Sequence, residues 1–539
     1  MAREEFLLQP AVCPQGSLHG EESSYSVLVH EVFRGSVLEK GLAVFRLVDY
    51  AVLGCYLLVV IWLGLRLGRG QQTITSYLLG GRNLPWVAVL GSIIATETSS
   101  VTFLSIPGLA YAEGGPGFLF LQLTLGYILG RLLVVVFLLP SYFSGTLFTA
   151  YQVLEQRFGG ATKSLASGLF LVMRSLADGL RLYLTAIVLE QFLGWDLLTA
   201  ILVIAVATTF YTYYGGLRSV VWNDCLQLAV YLLGAFMALG VIAGRIGVQA
   251  GTSGFPIVDG LWAIVSYGIE TNRFQLCDLS LTWVRPYTIW AGIFGGIFVA
   301  LATHGTDQLM VQRYLAARGL KEASLALALS GPLVAAQFAL FLFLGVAMAA
   351  YEQWIPGQTS KSAPDAALAY FVSRELPAGI SGLVIAAVLA AAMSTLSSSL
   401  SASASAAVND FLLKLYPAFQ ADSGRLLRLT RVITLGFACV QTGVAVSGPY
   451  WARTVVENVM AIATLTSGLT LGIFLLGVLC PQATQRAALW GFLVGCFTDF
   501  VAVWVFHISW PWYAAVGALG VLLGGIATSW LDSMITRSR

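Results

Sequence analysis

Gly91-Ser-Ile-Ile-Ala-Thr-Glu-Thr-Ser-Ser-Val-Thr-Phe103 sets a polar block, with a glutamate inside it, in the middle of an otherwise apolar run at 86–111. The run is long enough to cross a hydrocarbon core about 30 Å thick. Unwound or polar backbone at that depth is tolerated only where it lines a protein cavity or an ion site. The block therefore predicts a membrane helix interrupted at its centre. A second weak centre, Thr303-His-Gly-Thr-Asp307, lies in the run at 288–312. Two interrupted spans five spans apart suggest two five-helix repeats, each opening on a broken helix.

The rest of the chain has the same character. Only 10% of its 539 residues are charged and 58% are hydrophobic, against about 25% charged in soluble domains. So few charges cannot cover the surface of a water-soluble protein of this size. The apolar runs lack the alternation of a membrane barrel, so the fold class is all-α and polytopic. Thirteen spans are expected, at 47–67, 86–111, 117–140, 163–192, 196–213, 218–246, 288–312, 323–350, 378–411, 430–449, 454–480, 487–507 and 511–531. The first is a peripheral helix, 86–480 is the core that holds both five-span repeats, and 481–539 holds peripheral C-terminal helices with a short cytoplasmic tail.

Basic residues set the orientation. One set of alternate loops carries Arg66, Arg69, Arg82, Arg157, Lys163, Arg218, Arg313, Arg318, Lys321, Lys414, Arg425, Arg428, Arg431, Arg486, Arg537 and Arg539. The other set holds Arg245, Arg273, Arg285, Lys361, Arg374 and Arg453. The positive-inside rule puts the C-terminus in the cytoplasm and the N-terminus outside a cell membrane. Residues 1–46 form an extracytoplasmic segment without a secretory h-region, with an interfacial helix expected around Tyr25–Phe45. The outward loops 247–287 and 351–377 each contain a stretch suited to a short surface helix.

Candidate chemistry sits on two spans. Ser394, Ser397, Ser398 and Ser401 follow i, i+3, i+4, i+7, which lines one helix face with hydroxyls, and Thr395 flanks it. Hydroxyls and freed carbonyls replace the water of a small hard cation such as sodium without burying an extra charge. The competing use of the same residues is close helix packing through small side chains. Asp224 stands near the start of its span as a possible ion ligand or as a carboxylate reaching water. The seven cysteines and four histidines are too scattered for a disulfide framework, a transition-metal site or a hydrolytic triad. No span of the chain accommodates a soluble catalytic or nucleotide-binding module.

Five stretches carry a family resemblance: Tyr77-Leu-Leu-Gly-Gly-Arg82; Ala95-Thr-Glu-Thr-Ser-Ser-Val-Thr-Phe103 with Pro107-Gly-Leu-Ala-Tyr111; Tyr214-Gly-Gly-Leu-Arg-Ser-Val-Val-Trp-Asn-Asp224; Val311-Gln-Arg-Tyr314; and Ala390-Ala-Ala-Met-Ser-Thr-Leu-Ser-Ser-Ser399. In that order they resemble the sodium/solute symporter family, which includes bacterial sugar, proline and sialic-acid carriers. The resemblance implies a leucine-transporter-type fold of two inverted repeats that works by alternating access, with sodium as coupling ion. It places a first sodium on the carbonyls of Ala95, Thr98 and Ala391 and the hydroxyls of Ser394 and Thr395. It permits a second on Ser394, Ser397, Ser398 and Asp224. For the solute it nominates Glu97, Ser99, Thr102, Gln122, the face around Ala177, Thr303 and His304, the last where relatives carry an aromatic. Glu97 aligns with an acidic residue of proline carriers.

Sialic-acid carriers place an arginine where this chain has Ala177, with Arg174 one turn before and Arg181 one turn after. Either arginine could take over there, and Asp178 and Arg181 are counted with the solute residues. Glu97, Asp178, Arg174 and Arg181 form a candidate cluster of intramembrane charges; Glu97 either meets cation and solute or pairs with Arg181 or another buried donor. Asp307 and Gln312–Arg313 are candidates for an inner gate. The expected function is sodium-coupled import of a small polar solute, whether sugar, carboxylate or zwitterion, across the lipid bilayer and with no nucleic-acid partner. A proton-coupled carrier of the same fold is the alternative. A membrane enzyme is a poorer one, since its base or metal ligands would have to come from a single mid-membrane histidine.

Overall fold

The computed structural model describes residues 46–251, 254–355, 367–451 and 453–537. The expected N-terminal segment and its interfacial helix lie, apart from Arg46, outside the described residues. The chain described is a helical bundle. Its principal helices are α1 (Leu47–Gly68), α2 (Trp86–Glu97), α3 (Ser100–Tyr111), α4 (Gln122–Leu133), α5 (Gly160–Leu193), α6 (Leu197–Ala250), α7 (Pro256–Glu270) and α8 (Gly296–Gly305). They continue with α9 (Gln308–Ala316), α10 (Leu320–Trp354), α11 (Ala367–Glu375), α12 (Ile380–Ala406), α13 (Ser423–Ser447), α14 (Arg453–Leu479), α15 (Gln485–Trp504) and α16 (Tyr513–Arg537). Among the described residues eight helices are long and apolar enough to cross a membrane, or nine with the bent pair α2–α3 counted as one span.

The other expected spans appear in different forms. The span at 163–192 is the charge-bearing helix α5, 288–312 is divided between α8 and α9, and 454–480 is α14. The spans at 196–213 and 218–246 share α6, whose backbone leaves helical geometry at Gly216 (φ 53°, ψ −161°). A side chain at Gly216 would collide with the Tyr77 carbonyl and sit on a disfavoured left-handed backbone. The loops 247–287 and 351–377 carry the short helices α7 and α11 among their described residues, as their sequence suggests.

Both expected interruptions are present. Helix α2 ends at Thr98 in an extended conformation (φ −91°, ψ 94°), and the chain resumes at a 61° angle. Ser99 restarts it as an N-cap, its hydroxyl accepting the Thr102 N–H at 3.2 Å. Helix α8 stops at Gly305, and Asp307 caps α9 by accepting the Leu309 N–H at 2.8 Å. Serine, threonine and aspartate are the residues whose side chains compete for backbone donors, so each polar block both ends one helix and starts the next. The serine-rich stretch of α12 behaves differently: it stays helical to Ala406 and gives way only at 407–412 to a wider π turn.

Helix α12 is the centre of the molecule, buried on nearly every face from Ser381 to Ala406. Its N-terminus is satisfied by a residue of another helix. The Asp49 carboxylate of α1 accepts the N–H groups of Gly379 at 2.7 Å and Gly382 at 2.9 Å, and the Ser381 hydroxyl at 2.8 Å. An acid there answers both the orphan donors and the positive end of the helix dipole. At the rim, Leu58 and Trp62 on α1, Phe497 and Trp504 on α15, and Leu523 and Trp530 on α16 remain exposed, as a lipid-facing surface requires.

Backbones meet where α4 crosses the start of the seventh span. A Cβ on Gly126 would lie 2.2 Å from the Gly292 carbonyl oxygen, and one on Gly292 would lie 2.6 Å from the Gln122 carbonyl oxygen. Gly130 and Gly296 continue the seam one turn on, in the small-residue spacing that lets membrane helices touch. Gly126→Ala is therefore expected to cost about 1–3 kcal/mol by overpacking. Gly436→Ala on α13 faces open space and should be neutral or gain up to about 1 kcal/mol. Thermal unfolding of the two purified variants in detergent tests the contrast.

Candidate functional site

The break between α2 and α3 supplies oxygens. The last bond of α2 runs from the Thr98 N–H to the Ile94 carbonyl at 3.3 Å, and α3 opens with Phe103 N–H to the Ser99 carbonyl at 2.9 Å. The carbonyls of Ala95, Thr96, Glu97 and Thr98 fall between the two ladders. Neighbouring helices hold the break in place: the Gln337 amide of α10 donates to the Thr98 hydroxyl, and the Tyr231 hydroxyl of α6 donates to Gln337 at 3.3 Å.

Helix α12 faces this break. The Thr395 hydroxyl donates to the Ala391 carbonyl at 3.2 Å, which brings two of the expected sodium oxygens side by side. Both are uncharged, a donor set that suits a monovalent hard cation. Ser394 donates to Asp224 Oδ1 at 2.7 Å. Ser397 donates to the Ser394 carbonyl at 3.1 Å, and Ser401 accepts from Gln312 at 3.2 Å. Asp224 is fully buried and does not reach water. Its Oδ2 accepts from Ser92 at 2.5 Å and from Arg313 at 3.2 Å.

A narrow cavity joins the break, α5 and α12. It is lined by Ser99, Ser100, Asp178, Arg181, Leu182, Thr185, Ala392, Thr395 and Leu396. One expected sodium residue, Thr395, and three expected solute residues, Ser99, Asp178 and Arg181, thus share one space. Within it Asp178 is divided between two cations, with Arg181 Nη1 at 2.6 Å from Oδ1 and Arg174 Nε at 2.6 Å from Oδ2. Arg174 also lies 3.5 Å from Asp307, which ties α5 to the start of α9.

Glu97 is elsewhere. Its carboxylate pairs with Arg131 of α4 rather than with Arg181. Arg131 also meets His304, its Nε 3.1 Å from the ring Nε2. That nitrogen faces guanidinium donors and so accepts, leaving the proton on Nδ1, 3.2 Å from the Tyr314 hydroxyl. Glu97 and His304, nominated separately for the solute, therefore come together around Arg131, which was not among the expected site residues. The signal was available: Arg131 is an ionisable residue inside an apolar span, which by itself nominates a site.

The remaining nominated residues have other partners. The Gln122 amide donates to the carbonyls of Leu119 at 3.1 Å and Tyr287 at 3.0 Å, and accepts the Asp278 N–H at 3.0 Å. It pins the 271–290 loop to the head of α4 and is not among the residues lining the cavity. Thr102 bonds the Ser99 hydroxyl at 3.1 Å as part of the cap of α3. Thr303 is half-buried on α8 beside His304. Gln312 and Arg313, expected at an inner gate, reach from α9 into the hydroxyl face of α12.

Comparison with known proteins agrees with this architecture. The family model described as "Sodium:solute symporter family" matches residues 77–495. The sodium-dependent multivitamin transporter of Oryctolagus cuniculus is 28% identical over 85% of this chain and 70% of its own length. The sodium/iodide cotransporter of Homo sapiens is 29% identical over 83% and 68%. Sodium-coupled monocarboxylate transporter 1 of Homo sapiens is 27% identical over 86% and 74%. Among solved structures, a Na+-coupled sialic acid symporter in a substrate-bound outward-open state superposes with a TM-score of 0.80 at 26% identity, covering 90% of this chain and 98% of that one. The nucleobase-cation-symport-1 family transporter Mhp1 matches with a TM-score of 0.51 at 12% identity, over 86% and 96%, a likeness of fold alone.

Proposed function

The chain belongs to the sodium:solute symporter family, and we propose that the solute it couples to sodium is a small organic anion, held through Arg181. As a member of that family it is a multi-pass membrane protein and a sodium-coupled secondary active symporter working by alternating access, not an enzyme.

The observation that carries the solute class is the chemistry of the cavity wall, since the cavity itself, at about 10 Å³, has no room for more than a water in this state. It sets a guanidinium beside the hydroxyls of Ser99 and Ser100 and next to Thr395. Asp178 is shared with Arg174, so Arg181 keeps donors for a further carboxylate, and a guanidinium binds carboxylates in a bidentate geometry. The anion would sit within reach of the first sodium, which would offset its charge in a low-dielectric space. Relatives named for monocarboxylates and iodide carry anions, which supports the same reading. Arg181 stands one turn beyond Ala177 and would do the work of the arginine missing there.

The first sodium would take the carbonyls of Ala95, Thr98 and Ala391 with the Thr395 hydroxyl, Ser394 lying behind it. Glu97, Arg131 and His304 would shape the far wall of the solute path. The distribution of basic loops supports an external N-terminus and a cytoplasmic C-terminus.

Uptake of labelled monocarboxylates into proteoliposomes tests this. A sodium gradient, but not a potassium or pH gradient, should drive accumulation. Arg181→Gln should raise KM roughly 10- to 100-fold, the worth of a charge-assisted hydrogen bond. Uptake driven only by the pH gradient would sink the sodium reading, and an unchanged KM in Arg181→Gln would remove the anion site.

A further inference from the structure

We propose that the arginine-bearing ends of α1, α6 and α13 form a docking site for the phosphate of an anionic phospholipid, seated on Arg431. The Arg431 guanidinium of α13 lies over two tyrosine rings, 5.6 Å from the centre of Tyr77 and 6.0 Å from that of Tyr213, close enough to be held by both π faces. Its Nε is buried without an acceptor, and among the described residues no carboxylate pairs with it. Arg66 and Arg69 at the end of α1 and Arg218 just past the bend in α6 are exposed and equally unpaired. The backbone brings these residues round one corner. A Cβ on Gly68 would lie 2.5 Å from the Tyr214 carbonyl oxygen, and the Gln71 amide donates to the Gly215 carbonyl at 2.5 Å. The rings of Tyr213 and Tyr214 pack 5.0 Å apart. The bend in α6 therefore stands between α1 and α13, with arginines on both sides of it.

The surroundings favour a lipid over a soluble anion. Trp62 is exposed one turn inward of Arg66, whose guanidinium lies 5.0 Å over its ring, and Leu435 is exposed one turn inward of Arg431. Tyr214 is exposed between them on α6. A surface that is cationic at its end and apolar one turn deeper fits a molecule with a phosphate head and acyl tails. A free phosphate would use only the first half of it. An excess of basic residues at one membrane face is general, but that bias asks for no aromatic seat and no unpaired guanidinium. Arg486, 3.5 Å from Asp532 on α16, contributes to the bias while already paired. The proposed orientation turns this face to the cytoplasmic leaflet, where anionic lipids attract basic residues.

Thermal unfolding of the full-length protein in a neutral detergent gives the test, with phosphatidylglycerol, phosphatidylcholine or inorganic phosphate titrated in. Phosphatidylglycerol should raise the unfolding temperature, because a ligand of the folded state stabilises it by mass action. Phosphatidylcholine should do so much less, and inorganic phosphate not at all over the same concentrations. Arg431→Gln should raise the half-saturating phosphatidylglycerol concentration about five-fold, the worth of one arginine at an anionic surface. Arg486→Gln should leave it unchanged. If Arg431→Gln fails to fold, the paired change Arg66→Gln/Arg69→Gln on the exposed rim should weaken phosphatidylglycerol by at least as much. Equal responses to the two lipids, or a full shift from inorganic phosphate alone, would overturn the inference. So would an Arg431→Gln curve that overlays the Arg486→Gln curve or, without folded Arg431→Gln, an unchanged curve for the paired variant.

Discussion

Arg131→Met is expected to destabilise the protein by about 3–5 kcal/mol, because it leaves the Glu97 carboxylate buried without its counter-charge. The arginine is 1% exposed and Glu97 15%, and the same guanidinium meets His304. The cost belongs to the uncompensated charge and not to the lost contact. The paired change Glu97→Gln/Arg131→Met, which deletes both charges, should therefore recover most of the stability. Thermal unfolding of the detergent-purified single and paired variants measures this. A single variant as stable as the parent would mean that Glu97 finds another donor or is protonated beside the break. Recovery of stability without recovery of uptake would separate the pair's part in the fold from its part in transport.

Sodium should stabilise the parent protein by about 2.7 kcal/mol when supplied at 100 times its dissociation constant, and Thr395→Ala should abolish that gain. Ser394→Ala should behave differently, although the two residues are adjacent. Its hydroxyl belongs to Asp224, so the loss should appear as lower stability with or without sodium, by about 1–3 kcal/mol for a weakened buried carboxylate. The shift in unfolding temperature between sodium and choline, read for both variants, distinguishes them. Equal loss of the sodium shift in both would return Ser394 to the first ion site as a ligand of equal standing.

The contrast between those two residues shows what the sequence could and could not carry. Span positions, the two interruptions and the surface helices were legible because they depend on local properties: apolar run length, polar blocks and capping residues. The five-span interval between the breaks was legible for the same reason. Which neighbour a side chain faces is a property of tertiary packing. The spacing of Ser394, Ser397, Ser398 and Ser401 announced a hydroxyl face, but nothing local showed that α9 would push a guanidinium into it. Gln122 had the right type and place for a solute ligand, yet it is taken by a loop 156 to 165 residues further on, at Asp278 and Tyr287. Arg131 is legible as a candidate from the rule that charges in apolar spans are functional, whereas its partners Glu97 and His304 lie on other helices and are set by packing.

The Asp224–Arg313 pair has a consequence for how the molecule moves. Its hydrogen bonds join α2 through Ser92 and Thr96, α6 through Asp224, α9 through Arg313 and α12 through Ser394 and Ser398. Four helices that share one buried ion pair are expected to travel as a single rigid body, so a rearrangement that opens a path for solute should leave this knot whole and bend the chain elsewhere.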